Sequence, residues 1–182
     1  MAEYYLISQL PTLDGIGDGT PIPITEERFL ELCDRFLGKK ARRELDKLTL
    51  IPPLDMEKTS SRLIDAWNNG ERELRLALAG ARAAKLKKSF DTDKKTNSIE
   101  ISRTAAAAVE IENPYEAEAF LLKHRLSFLE SLRPMDNFSE DFLYYYGLKL
   151  KLLLRIRQFD AKLGEAEYRK IYGSIINGEA EA

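Results

Sequence analysis

The chain carries one cysteine, one histidine and one tryptophan in 182 residues. The lone Cys33 excludes an intramolecular disulfide and fits a reducing compartment. There is no H-E-x-x-H, no Walker loop, no nucleophile elbow and no C-x-x-C. There is no basic excess either. Lys and Arg number 28 against 30 Asp and Glu, a net charge of −2, which weighs against a dedicated nucleic-acid binder. No run reaches eighteen uninterrupted apolar residues, so no segment is expected to span a membrane alone. The opening MAEYYLISQLPTLDG has no basic region followed by a long apolar run, so a secretory signal is not expected. What remains is an ordinary soluble globular composition, 44% hydrophobic and 32% charged, long enough to bury a core as one domain or two small ones. The expected address is the cytoplasm.

The pattern of apolar residues predicts helices. The strongest runs from Asn137 to Leu163. Asn137 with Glu140 reads as a capping box, and Gly164 as a stop. Phe138, Phe142, Tyr145, Lys149, Leu152, Ile156, Phe159 and Leu163 recur at steps of three and four, on one helical face. Tyr146, Leu150, Leu153 and Leu154 widen that face, as in a central helix packed on more than one side. Gly147 inside it marks a close neighbour or a bend.

Earlier in the chain, Tyr4–Leu10 is too short to assign as strand or helix. DGIGDGTPIP, residues 14–23, lacks the G-x-G-x-x-G spacing and reads as a surface loop. Thr25 caps a helix with Phe29, Leu32, Cys33 and Phe36 inward, and Gly38 ends it. Cys33 reads as a small buried hydrophobe. A mostly charged helix over 39–48 stops at Pro52-Pro53. Ser60 or Ser61 opens another, with Leu63, Ile64 and Trp67 inward. Asn68-Asn69-Gly70 interrupts it, and Asn68 with Glu71 can cap a fresh start.

The small residues from Ala77 to Ala84 allow another backbone to approach, and Arg75, Arg82, Lys85, Lys87 and Lys88 make that end basic. Residues 89–98 form an exposed loop and the best internal boundary, and Ile99–Val109 is ambiguous. Asn113-Pro114-Tyr115-Glu116 is a cap, a first-turn proline and a capping-box acid. Its helix, with Tyr115, Leu122, Leu126, Leu129 and Leu132 inward, stops before Pro134 and is expected to form an antiparallel hairpin with the next. A last helix over 165–176 places Tyr168, Ile171, Tyr172 and Ile175 together, and residues 179–182 are a frayed acidic tail.

No catalytic, cofactor-binding or metal-binding residue is signalled. His124 lies off the main apolar face and reads as a surface histidine. Glu71 and Glu73, or Glu116 and Glu118, sit on helices rich in salt-bridge partners. Three polar residues stand out. Glu118 and Arg125 are two helical turns apart on the Leu122–Leu129 side, and Lys149 interrupts the 137–163 stripe. A buried unpaired lysine costs several kcal/mol, so Lys149 is expected to find a carboxylate, with Glu118 across the hairpin as a partner, or to snorkel out. These groups form either a structural ion pair or a polar concavity that receives a partner.

One resemblance adds to these readings. Tyr4-Tyr5-Leu6-Ile7-Ser8-Gln9-Leu10-Pro11 resembles the YYYLVSSLP opening of an uncharacterised bacterial family, encoded among the genes of V-type (A/V-type) ATP synthases. Trp67, Glu73-Leu74-Arg75, Leu78-Ala79 and Arg82-Ala83 resemble its W…E-x-x-L-R…LA…RA segment. Asn113-Pro114, Glu118, Arg125, Phe138-Ser139, Tyr146, Lys149-Leu150 and Arg155 resemble its second half. That aromatic, K-L, then R helix also looks like the C-type (or d-type) component of rotary ATPases, a non-catalytic helical socket between the central stalk and the membrane rotor ring. The chain departs from a full socket of that type in its much shorter length and in lacking a threefold repeat.

Together these readings predict an all-α, mostly helical single domain over 1–178, made of helical hairpins around the 137–163 helix. The resemblance implies a C-like component of a V-type ATPase, peripheral on the cytoplasmic face of the inner membrane and serving proton or sodium transport through its partners. The implied contact or socket residues are Arg75, Arg82, Lys85, Glu118, Arg125, Tyr146, Lys149 and Arg155, with no cofactor and no nucleic acid. A helical adaptor of another cytoplasmic complex is the alternative, followed by a small helical enzyme.

Overall fold

The computed structural model describes residues 2–17, 20–53, 55, 58–90, 98–158 and 168–173. Among them every regular element is a helix, so the fold is all-α. The helices are α1 (Ala2–Gln9), α2 (Glu26–Phe36), α3 (Lys39–Asp46), α4 (Arg62–Lys85), α5 (Ile99–Glu110), α6 (Pro114–Ser131) and α7 (Glu140–Gln158). Residues 168–173 are also helical.

Local chemistry sets the helix ends. The Thr25 hydroxyl accepts from Arg28 N at 3.2 Å and starts α2. Asn113 Oδ1 accepts from Tyr115 N at 3.0 Å, with Pro114 in the first turn of α6. Gly38, expected to end α2, lies at the N-cap of α3. Ser139, not Asn137, caps α7: its Oγ accepts from Phe142 N at 3.2 Å, while Asp136 Oδ1 takes the Phe138 amide in the turn before it. Phe138 therefore lies before the helix and is half exposed. The expected continuation to Leu163 and Gly164 lies outside the described residues.

The main core gathers Leu6, Phe29, Leu32, Cys33, Leu45, Ile64 and Trp67 around Leu143, Leu148, Leu150 and Leu152 of α7. α7 packs against α2, α3, α4 and α6. Gly147 is one point of close approach. A Cβ there would lie 3.0 Å from Leu48 Cδ1 and 3.2 Å from Phe29 Cε1. Cys33 is fully buried, and burial pushes its thiol up to about 12, so it stays protonated and inert.

The Asn68-Asn69-Gly70 sequence does not break α4, which runs unbroken through 24 residues. Gly70 answers to packing instead: a Cβ there would sit 2.4 Å from Phe128 Cε1 of α6. The Phe128 ring stacks on Trp67 one turn away, with centroids 6.1 Å apart. Beyond this point the small residues of α4 meet α5, and Leu74, Leu78, Ala105, Ala108 and Leu121 form a second apolar cluster. The ambiguous 99–109 segment is thus a helix, its alanines Ala105 and Ala108 buried in that cluster.

The α6–α7 pair is antiparallel, since Glu118 meets Arg155 near one end and Glu130 meets Lys149 nearer the other. Tyr115 is half exposed rather than inward, while Leu121, Leu122 and Leu129 are buried. Of the last predicted helix, Tyr168, Ile171 and Tyr172 are exposed, and Ile175 lies outside the described residues.

Ser61 joins two helix starts. Its Oγ accepts from Ile64 N at 3.2 Å and donates to Asp141 Oδ1 of α7 at 2.6 Å. Ser61→Ala removes both bonds from a 4% exposed site and is expected to cost about 1–2 kcal/mol, read as a lower urea midpoint.

Candidate functional site

Four charged side chains from three helices meet at one place. α4 presents Glu71 on the same stripe as Trp67, Leu74 and Leu78, and so carries a carboxylate into the protein. Glu71 is 1% exposed. α6 presents Glu118 and Arg125, two turns apart, toward it. α7 brings Arg155 from its last turn.

Arg125 Nε donates to Glu71 Oε1 at 2.9 Å, and its Nη1 lies 3.7 Å from Glu118 Oε1. Arg155 donates to the same Glu118 oxygen through Nε and Nη2, at 3.1 and 3.0 Å. Arg75, one turn after Glu71, donates from Nη1 to Pro52 O at 3.2 Å. Three guanidinium groups thus stand over two carboxylates. With Leu50, Ile51 and Leu152 they line a cleft of about 110 Å³.

The charges here are unevenly compensated. Burial raises the Glu71 carboxyl above its ordinary value. Arg125 and Arg75 pull the other way, and the nearby Glu118 adds to the rise. Among the described residues no donor reaches Glu71 Oε2.

Of the sequence-derived site residues, Arg75, Glu118, Arg125 and Arg155 come together in this cleft. The others do not. Lys149 does not pair with Glu118. Its ammonium reaches Asp14 and Glu130, each at 2.6 Å, and the Tyr145 hydroxyl at 3.2 Å. Burial works against its charge, but these hydrogen bonds outweigh burial and hold its pKa above the ordinary lysine value. The pairing differs from expectation because the segment after α1 folds back over the hairpin and supplies Asp14, and because Glu130, not Glu118, lies level with Lys149. Tyr146, 4% exposed, donates to Pro11 O at 2.8 Å and ties down the same N-terminal segment. Arg82 is exposed on the last turns of α4. Lys85 donates to Val109 O at 2.6 Å, clipping the end of α4 to the end of α5.

Sequence reasoning missed Glu71 as a site residue by placing it at a helix restart. The available signal was its position on an apolar stripe, between Trp67 and Leu74. It also placed His124 on the surface. His124 is half buried and borders a second, larger cleft beyond the Glu71–Arg125 pair. Burial lowers its pKa, Glu100 opposes this, and Arg125 adds to the lowering.

Among the described residues no cluster of His, Cys, Asp or Glu is placed to hold a metal ion. No described helix is long and apolar enough to cross a membrane. No family model, curated protein or solved structure matches this chain. A functional reading therefore rests on the residues and their geometry.

Proposed function

We propose that the chain is a non-catalytic, C-like (d-like) component of a V-type rotary ATPase, coupling the central stalk to the membrane rotor ring. The observation that carries this reading is the convergence of Arg75, Glu118, Arg125 and Arg155, drawn from three helices, on one polar cleft. All four lie in the segments that resemble that family. A torque-bearing adaptor needs a stiff body and a shaped, charged receptor. Here α4, α6 and α7 are cross-braced by ion pairs at the cleft itself, and the excess of guanidinium groups suits acidic side chains of a partner. No cofactor takes part, and ion transport belongs to the partner proteins. The protein would sit peripherally on the cytoplasmic face of the membrane, held through those partners.

The helical adaptor reading draws on a different surface. Tyr4 and Phe138 stack with centroids 4.5 Å apart while 60% and 48% exposed, an aromatic patch suited to a protein partner. A deep pocket converging on Glu118 and Lys149 would favour the enzyme reading, and these two residues belong to separate clusters.

A tagged chain recovered from mildly solubilised native membranes is expected to bring the rotor proteins with it. Arg75→Ala removes an exposed cation from the cleft rim without touching the core, and is expected to weaken that recovery about tenfold, the size of one charge-assisted contact. Recovery of unrelated soluble proteins alone would overturn the rotary reading in favour of the adaptor.

A further inference from the structure

The second cleft lies between α4, α5 and α6 and measures about 410 Å³, within the usual range for small-molecule sites. Each helix gives it an apolar side: Leu74 from α4, Ile101 from α5 and the Phe128 ring from α6. Phe128 is fixed in place, stacked on Trp67 and fitted against Gly70, where a Cβ would collide with the ring. Ser98, Ser127 and Ser131 add hydroxyls to the lining.

The cleft presents a ligand with no net charge to meet. Glu71 and Arg125 on its lining are paired with each other. The wider network sets Glu71, Glu118 and Glu100 against Arg75, Arg125 and Arg155. A charged ligand would give up its hydration here and gain no counter-charge. An uncharged ligand has no such loss.

One polar group is open to the cleft. His124 lies one turn before Phe128 on α6 and lines the space while half buried. No described residue hydrogen-bonds its ring nitrogens, and neither nitrogen is sealed from solvent. Burial lowers its pKa, Glu100 opposes this and Arg125 assists, so the ring is neutral at pH 7 and offers one donor and one acceptor. A hydroxyl can answer either nitrogen.

We propose that this cleft binds a small uncharged aromatic alcohol, with its ring against Phe128, Leu74 and Ile101 and its hydroxyl hydrogen-bonded to the His124 imidazole. Aromatic rings pack well on one another edge-on or offset, and Phe128 is the aromatic wall. The proposal does not depend on the rotary reading and can fail or stand separately from it.

The test is calorimetric titration of the whole chain with benzyl alcohol, toluene, benzoate and benzylammonium. Benzyl alcohol is expected to bind saturably with a Kd of about 1 mM or tighter. His124 is the chain's one histidine, so a shift of its ring signals in nitrogen-correlated spectra reads the contact directly. Toluene lacks the hydroxyl and is expected to bind about fivefold more weakly. Benzoate and benzylammonium have nearly the same shape but carry charge, and are expected to bind about tenfold more weakly or worse. His124→Leu is expected to bring benzyl alcohol down to the affinity of toluene and to leave toluene unchanged. Ser127→Trp alters an exposed lining residue and is expected to weaken both, which keeps the test valid if His124→Leu folds poorly. The proposal is overturned by any of three results: no saturable binding of benzyl alcohol, a charged probe binding as tightly, or benzyl alcohol affinity unchanged in Ser127→Trp and in any folded His124→Leu.

Discussion

Arg125→Met is expected to lower stability by about 3 kcal/mol at pH 7, and by about 1 kcal/mol near pH 5. The loss comes from Glu71. Its carboxylate is 1% exposed and receives its one described hydrogen bond from Arg125. Without this guanidinium, the buried anion keeps only the weaker pull of Arg75 as counter-charge, and proton uptake is its escape. Starting from the ordinary glutamate value of 4.5, protonating the carboxyl at pH 7 costs about 1.4 kcal/mol per pH unit, or about 3 kcal/mol in all. That figure caps the electrostatic part of the loss, below the largest values seen for broken buried pairs.

The pH dependence follows from the same group. Burial raises the folded pKa of Glu71 above its unfolded value. A raised carboxyl gives its stabilisation in full below the unfolded value and loses it as pH rises through the folded value. Arg125→Met strengthens the rise, so the variant is expected to gain stability as pH falls from 7 toward 4.5. Urea melts at several pH values read this directly. Glu71→Leu combined with Arg125→Met removes both charges, and is expected to recover most of the loss. A variant whose stability does not depend on pH would show that Glu71 is not the strained partner.

Trp67→Ala is expected to cost about 3–5 kcal/mol. The indole is fully buried, donates from Nε1 to Thr49 O at 3.0 Å and stacks on Phe128. It joins the segment after α3, the second turn of α4 and the α6 face in one contact set. Truncation leaves a large cavity under Phe128 and an unpaired carbonyl at Thr49. Trp67→Phe keeps much of the volume and loses the hydrogen bond, so its cost should be about 1–2 kcal/mol. Denaturant melts followed by circular dichroism measure both, since the variants remove the chain's one tryptophan.

Much of the helical layout is readable from local chemistry. Thr25, Ser61 and Asn113 cap where their side chains predict, because a cap needs only its own next turn. Gly70 and Gly147 are harder. Both sit inside helices for reasons that lie elsewhere in the chain, Phe128 in one case and Leu48 with Phe29 in the other. The local pattern suggests a break at Gly70, whereas at Gly147 it already allows a close neighbour.

The site divides in the same way. Glu118 and Arg125 share a helix face, so their association can be read from spacing. Arg155 joins them through the antiparallel hairpin. Lys149 sits where a carboxylate is required and finds two, but they are Asp14, 135 positions away in sequence, and Glu130. Which of several acids reaches a given lysine depends on loop path and register, which no local pattern encodes. Glu71 is hidden by its neighbours: Asn68 and Asn69 imitate a helix start, and the packing of Phe128 against Gly70 overrides them.

The most direct measurement of the proposed role is the protein stoichiometry of the purified native V-type ATPase by quantitative mass spectrometry. This chain is expected at one copy per rotor, lost together with the central stalk when the stalk is stripped from the ring. Its absence from an otherwise complete and active enzyme would rule out the rotor role.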